Sequence, residues 1–288
     1  MKLKYYLYHS SLILFTLVSS TFVYADTFNE SNSNSNFIWT DLFSSDVKAS
    51  VDFYSQTFGW EVNKKTADNK TTYLLLNQGK TVARVVPRKS NVSVSSQALW
   101  VGYISAPDIN VTLTHAKKLG AKVIVTPGAF EQHESQAIIS DPQGGIVGIM
   151  AKNDHLIKNV GNKNWVWAQL FSRNPQQATQ FYTELFGYTA KKTKQNQHKA
   201  TTLLVKNNIA RAAIAPLPKN RPDRNRWVGF ISITNLGSTL DKAQQLGAEI
   251  IYAPHPEIFD GKIAVILDPN GALVGLIEQD SIVKKEIL

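Results

Sequence analysis

The chain has 288 residues, 43% of them hydrophobic, enough to bury a sizeable core and to suggest about two domains. It has no cysteine, which excludes disulfides, thiol chemistry and a lipidated cysteine anchor. The formal charge of +9 suits anionic partners, but the basic residues are scattered apart from Lys219, Arg221, Arg224 and Arg226, which read as a solvated loop and give no nucleic-acid stripe.

In chain order, Lys2 and Lys4 precede a short apolar run from Leu12 to Val18, and Val23-Tyr24-Ala25 closes it with small residues at the peptidase-read positions. Residues 1–25 are therefore expected to be a cleaved secretory signal, too short an apolar run to stay inserted in a membrane. The mature chain would begin near Asp26, be periplasmic or secreted, and carry +7, which is +9 less the two lysines. Residues 26–36, DTFNESNSNSN, are polar and of low complexity, a flexible leader. Ile38, Thr40 and Leu42 then alternate with Trp39, Asp41 and Phe43, the period of a strand. Asp46 is placed to cap a helix that Gly59 ends, with Val47, Val51, Tyr54 and Phe58 on one face. Strands are expected near 61–64, 72–78, 81–86 and 99–105, a helix over 109–119, and strands near 122–126, 136–140 and 146–150.

After a linker at 152–163 the pattern starts again. WAQLFSRNPQQATQFYTELFGY matches WTDLFSSDVKASVDFYSQTFGW at an offset of 128, from Phe181 against Phe53; WVGFIS matches WVGYIS, and LGAEIIYAP matches LGAKVIVTP, at 127. Val166, Ala168 and Leu170 alternate with Trp167, Gln169 and Phe171, and Asn174, Pro175 and Gly187 bound the helix. The chain thus divides into two homologous α+β domains, 37–151 and 164–279, each of two βαβββ modules, with a tail at 280–288. Whether modules pair within or across domains is open. His115, His133, His155, His198 and His255 have no counterparts between the copies and match no metal spacing.

FYSQTFGW and FYTELFGY, LGAKV and LGAEI, and DPQGG and DPNGA, in that order in each copy, resemble the vicinal oxygen chelate superfamily, which includes glyoxalase I, bleomycin resistance proteins and extradiol dioxygenases, and within it a two-domain glyoxalase-like branch. The resemblance implies a cupped, mostly antiparallel eight-stranded sheet per domain, helices on its convex side and a ligand cavity on its concave side. It also implies where metal-using members place their ligands: here Trp39, Trp100 and Gly148 with Ala83 or Arg84, and Trp167, Trp227 and Gly275 with Ala210 or Arg211. An indole offers no lone pair to a metal and glycine offers no side chain, so neither metal nor other cofactor is expected.

Two readings of the glycines remain open. Either the indoles fill the centre of each cup, or Gly148 and Gly275 keep a floor open for a flat or apolar ligand between Trp39 and Trp100, and between Trp167 and Trp227. Asp41 is a candidate general base with only Gln169 at the matching place; Phe43, Phe171, Arg84 and Arg211 are candidates for the pocket wall. The leading expectation is an exported, metal-free small-molecule binder. A lyase, isomerase or dioxygenase using other metal ligands, and a structural or partner-binding module, are the alternatives.

Overall fold

The computed structural model describes residues 35–67, 70–88, 97–128, 135–151, 164–193, 201–217, 225–256 and 259–279. The expected signal, nearly all of the leader, the linker, the tail, most of the basic loop, and His133, His155 and His198 lie outside these residues.

The first half runs β1 (Phe37–Ser44), α1 (Val47–Phe58), β2 (Glu61–Ala67), β3 (Lys70–Asn77), β4 (Lys80–Pro87), β5 (Leu99–Ala106), α2 (Ile109–Lys118), β6 (Lys122–Val125), β7 (Gln136–Ser140) and β8 (Ile146–Ala151). The second repeats it with β9 (Trp165–Ser172), α3 (Pro175–Phe186), β10 (Thr189–Lys192), β11 (Thr202–Lys206), β12 (Ile209–Pro216), β13 (Arg226–Ile233), α4 (Leu236–Gln245), β14 (Glu249–Tyr252), β15 (Ile263–Leu267) and β16 (Leu273–Glu278). Each half makes its own eight-stranded sheet, in the order β2-β3-β4-β1-β5-β8-β7-β6 and β10-β11-β12-β9-β13-β16-β15-β14, so modules pair within a domain. The two modules of a domain join antiparallel through β1 and β5, or β9 and β13. Only β1 with β4, β5 with β8 and their counterparts are parallel.

Helix limits follow local chemistry. Asp46 accepts from Ala49 N at 2.9 Å and Asn174 from Gln177 N at 3.1 Å, satisfying first-turn donors, while Gly59 and Gly187 end α1 and α3 at φ 70° and 66°.

The helices do not face solvent alone. α1 packs on α4 and α2 on α3, so each core on the convex sides draws on both domains. Leu42, Val51 and Tyr54 share one with Leu240, Val274 and Leu276; Ile104, Leu113 and Ile149 share the other with Leu170, Phe181 and Leu185. The sequence motifs meet across this seam. Tyr54 donates to Asp268 at 2.9 Å and accepts from Trp100 Nε1 at 2.7 Å; Tyr182 donates to Asp141 at 3.1 Å and accepts from Trp227 Nε1 at 2.8 Å. Trp100 stacks edge-on to Trp165 at 5.0 Å, and Trp227 tilts on Phe37 at 5.1 Å. The carboxylates also hold their own turns, Asp141 accepting from Gln143 N and Gly145 N, and Asp268 from Asn270 N and Ala272 N. Burial, outweighing these hydrogen bonds, raises both aspartates above the usual carboxylate range.

No helix among the described residues is long and apolar enough to cross a membrane.

Candidate functional site: two unlike cups

Side-chain alternation puts Leu42 against the helices and Trp39, Asp41 and Phe43 into the first cup, where Trp39 packs with Val101, Tyr103, Ile138 and Met150. Register fixes what stands beside them: Trp39 lies opposite Tyr103 on β5, and Asp41 opposite Arg84 on β4. Asp41, 0% exposed, accepts from Trp39 Nε1 at 2.7 Å and from Arg84 Nε at 2.9 Å, and a second Arg84 nitrogen closes a bidentate pair. Arg84 then crosses the cup, donating to Gln136 Oε1 of β7 at 3.1 Å. The guanidinium so ties the two arms of the sheet over the floor. Tyr103 turns its hydroxyl toward the Asp41–Arg84 pair without reaching hydrogen-bond geometry. Burial first, and the Asp41 charge second, push that hydroxyl well above its ordinary range, so it stays neutral.

The polar network is absent from the second cup. Trp167 recurs, but Gln169 replaces Asp41, Ala213 lies opposite it where Arg84 lies opposite Asp41, Phe230 replaces Tyr103, and Ile263 replaces Gln136. The result is an apolar cup of Trp167, Ala213, Val228, Phe230, Ile263 and Val265, rimmed by half-buried Phe171, Leu203, Tyr252, Phe259 and Leu273. Gln169 is 1% exposed, and its Oε1 has no hydrogen-bond partner among the described residues.

The glycines have a different reason from either reading of the sequence. A Cβ on Gly148 would lie 2.2 Å from the Tyr103 ring, and one on Gly275 2.1 Å from the Phe230 ring. Each glycine is the parallel neighbour of that aromatic residue, and its missing side chain is where the ring lies flat on the sheet.

The expected pocket residues therefore separate. Trp39, Asp41, Phe43, Arg84 and Gly148 come together in the first cup, and Trp167, Gln169, Phe171 and Gly275 in the second. Trp100 and Trp227 do not join them: both point to the other face, into the seam. WVGYIS is apolar on both faces, so its period could not say which residue faces the cup. Arg211 is not the mate of Arg84. It is the extra residue of a bulge between Ala210 and Ala212, with its charge beside Tyr188 of the helix-side core. The signal was present: Pro87 and Pro216 pair with Ser44 and Ser172, and Arg84 and Ala213 each lie three residues before the proline.

A divalent metal does not fit either cup. In the first, the one carboxylate is bidentate to a guanidinium, which brings its own positive charge; in the second the lining residues named above include no carboxylate, imidazole or thiol. Among the described residues no three His, Cys, Asp or Glu side chains gather.

Comparison with known proteins gives a consistent frame. CFP32 of Mycobacterium tuberculosis is 23% identical over 251 residues, covering 83% of this chain and 93% of its own. The anthracycline biosynthesis protein DauV of Streptomyces sp. (strain C5) is 26% identical over 258 residues, covering 83% and 92%. The fold matches that of the Mn(II)-bound glyoxalase from Novosphingobium aromaticivorans, at TM-score 0.53 and 16% identity over 83% of this chain and 80% of that one. The sequence profile of the Glyoxalase/Bleomycin resistance protein/Dioxygenase superfamily matches twice, at residues 36–147 and 165–276, and with the duplicated βαβββ sheets this chain belongs to that superfamily.

Proposed function

We propose that this protein is an exported, metal-free binder of a small apolar molecule, held in the second cup, and that the first cup is a self-contained polar core. The observation that carries this reading is Gln169. A buried acceptor without a donor costs about 1–3 kcal/mol, which a ligand O–H or N–H arriving at Oε1 would recover. The surrounding side chains suit a flat or aliphatic body: Trp167 and Phe230 below, Phe171, Leu203 and Phe259 at the rim, and Ala213 leaving the space that Arg84 fills in the first cup. Tyr252 at the rim, its hydroxyl raised by burial to about 12, is neutral at physiological pH and offers no charge to an ionic ligand. In the first cup the Asp41 carboxylate is bidentate to Arg84 and also accepts from Trp39, and the Gln136 oxygen accepts from the same Arg84, so the polar groups are engaged with one another.

The test is a ligand screen followed by tryptophan fluorescence, on the parent protein and on Gln169→Leu and Ala213→Leu. Binding that both changes weaken at least tenfold supports the reading. A screen without response, or a ligand bound equally well by both variants, sinks it. Metal at about one per domain in the untagged protein, removed by chelator with loss of melting temperature, would instead favour the metal-dependent alternative. Export rests on the charged start, apolar run and Val-Tyr-Ala close of the first 25 residues, and amino-terminal sequencing of secreted or periplasmic material should begin near Asp26.

A further inference from the structure

Gln169 stands in a frame that is apolar or aromatic on every side. Trp167 and Phe171 flank it along β9, and Ala213 and Val228 lie opposite it on the two neighbouring strands. In the first cup the matching frame contains Arg84, which holds Asp41 through two nitrogens; in the second, Ala213 gives that place to a methyl group. None of the four side chains around Gln169 carries a hydrogen-bond acceptor, and its own Oε1, buried and without a donor, is the acceptor left for a ligand. A primary amide also carries N–H beside its oxygen, and half a turn about its last bond exchanges the two within the same volume. Whichever way the group stands, the frame presents one acceptor and one donor side by side.

Resting on the binding role proposed above for the second cup, we infer that its ligand is a lactam or another unsubstituted cis-amide, an uncharged group with N–H and C=O on adjacent atoms. Two parallel hydrogen bonds, ligand N–H to Oε1 and Nε2–H to ligand C=O, then satisfy both partners together, and no polar atom of the pair is desolvated without a mate. Other groups meet one end of the amide only. A ketone or carboxylate brings no donor to Oε1, and a charge buried against Trp167, Phe171, Ala213 and Val228 finds no counter-ion among them. A hydroxyl pairs through a single atom, where the amide offers two. A second polar group on the ligand would lie against carbon in this frame, so the rest of the molecule is aromatic or aliphatic.

The probes are 2-pyridone, 2-quinolone and phenanthridinone, flat lactams of increasing size, each beside its N-methyl derivative, which keeps the ring and the carbonyl but has lost the N–H. Calorimetric titration into the full chain should show the best-fitting lactam bound at least about tenfold more tightly than its N-methyl partner. Gln169→Leu should weaken the lactam and bring the pair within about threefold of each other, while Ala213→Leu, which fills the space beside Gln169, should weaken both. A preference that persists in Gln169→Leu would report the bulk of the methyl group and overturns the amide pairing. Equal binding of lactam and N-methyl lactam by the parent, with both lost in Ala213→Leu, also overturns it and leaves the apolar binding site standing. Binding of none of the probes overturns the pairing and the binding site together. Should Gln169→Leu fail to fold, the side-chain amide resonances of Gln169 in isotopically labelled parent protein decide: moved by the lactam they uphold the pairing, and unmoved they overturn it.

Discussion

The two cups share a backbone, a tryptophan on the first strand and a glycine under an aromatic ring, yet one is a closed charge network and the other a greasy bowl with a single unsatisfied amide. The difference shows that this scaffold does not depend on what fills its concave side. The convex sides behave in the opposite way: there the Tyr54–Asp268 and Tyr182–Asp141 pairs, with their indole donors, repeat almost atom for atom. The invariant half of the design is the joint between domains, and the variable half is the cup.

The most severe way to test the contrast is to open the polar network. Asp41→Ala leaves the Arg84 guanidinium buried without its carboxylate and should cost about 3–5 kcal/mol in chemical denaturation. Gln169→Leu at the matching place should change stability by less than about 1 kcal/mol, or raise it, since it removes an unpaired acceptor. Equal costs would break the distinction between the cups. A sharper form gives the first cup the residues of the second, Asp41→Gln, Arg84→Ala and Gln136→Ile together. Because a buried ion pair exchanged whole for apolar groups is often neutral, the triple variant should be more stable than Asp41→Ala alone.

Next in size is a feature the cups share. Gly148→Ala and Gly275→Ala should each lower stability by about 1–3 kcal/mol or more, because the added methyl meets the Tyr103 or Phe230 ring and the core must shift. Shrinking the ring in the same chain, with Tyr103→Leu beside Gly148→Ala, should return part of the loss. An unchanged melting temperature in the single variants would mean that the rings do not lie on the glycines.

At the joint, Tyr54→Phe and Tyr182→Phe should cost nearly the same, about 1–2 kcal/mol each, since each removes a donor from a buried carboxylate and an acceptor from an indole. The smallest effect is on pH. Asp141 and Asp268 have folded pKa values raised above their unfolded ones, so the folded state holds their protons longer. Their contribution is present in full below the unfolded value of about 4 and is lost as pH rises through the raised folded value. Asp141→Asn with Asp268→Asn keeps an oxygen for the turn and should flatten that part of the curve of stability against pH. A curve of parent shape would remove the two aspartates as its cause.

Much of the fold was legible in the chain. Asp46 and Asn174 as caps, Gly59 and Gly187 as stops, and the doubled order of strands and helices all stand as the residues announce them. The cups were legible only in part. Alternation in β1 separates Trp39 and Asp41 from Leu42 because one side is polar or aromatic and the other aliphatic, but β5 is apolar on both sides and hid the true orientation of Trp100. Gln136 and Tyr103 carry no local sign of their roles, which are set by strands far away in sequence. Their differences from Ile263 and Phe230 were the available clue, a polar residue in one copy of a buried strand and not in the other. Asp141 and Asp268 looked like turn formers, which they are, and nothing local tells that each also receives a tyrosine from the other domain.

The crossed pairs of the joint have one more consequence. Were the halves separate chains, they would meet as a twofold dimer, and any change to one cup would be written into both. Joined end to end they meet at an effective concentration set by the connection, not by dilution, and each copy of the gene segment can change alone. The repeated tyrosine and aspartate hold such a dimer within a single molecule, leaving one bowl apolar while its twin is closed by a charge network.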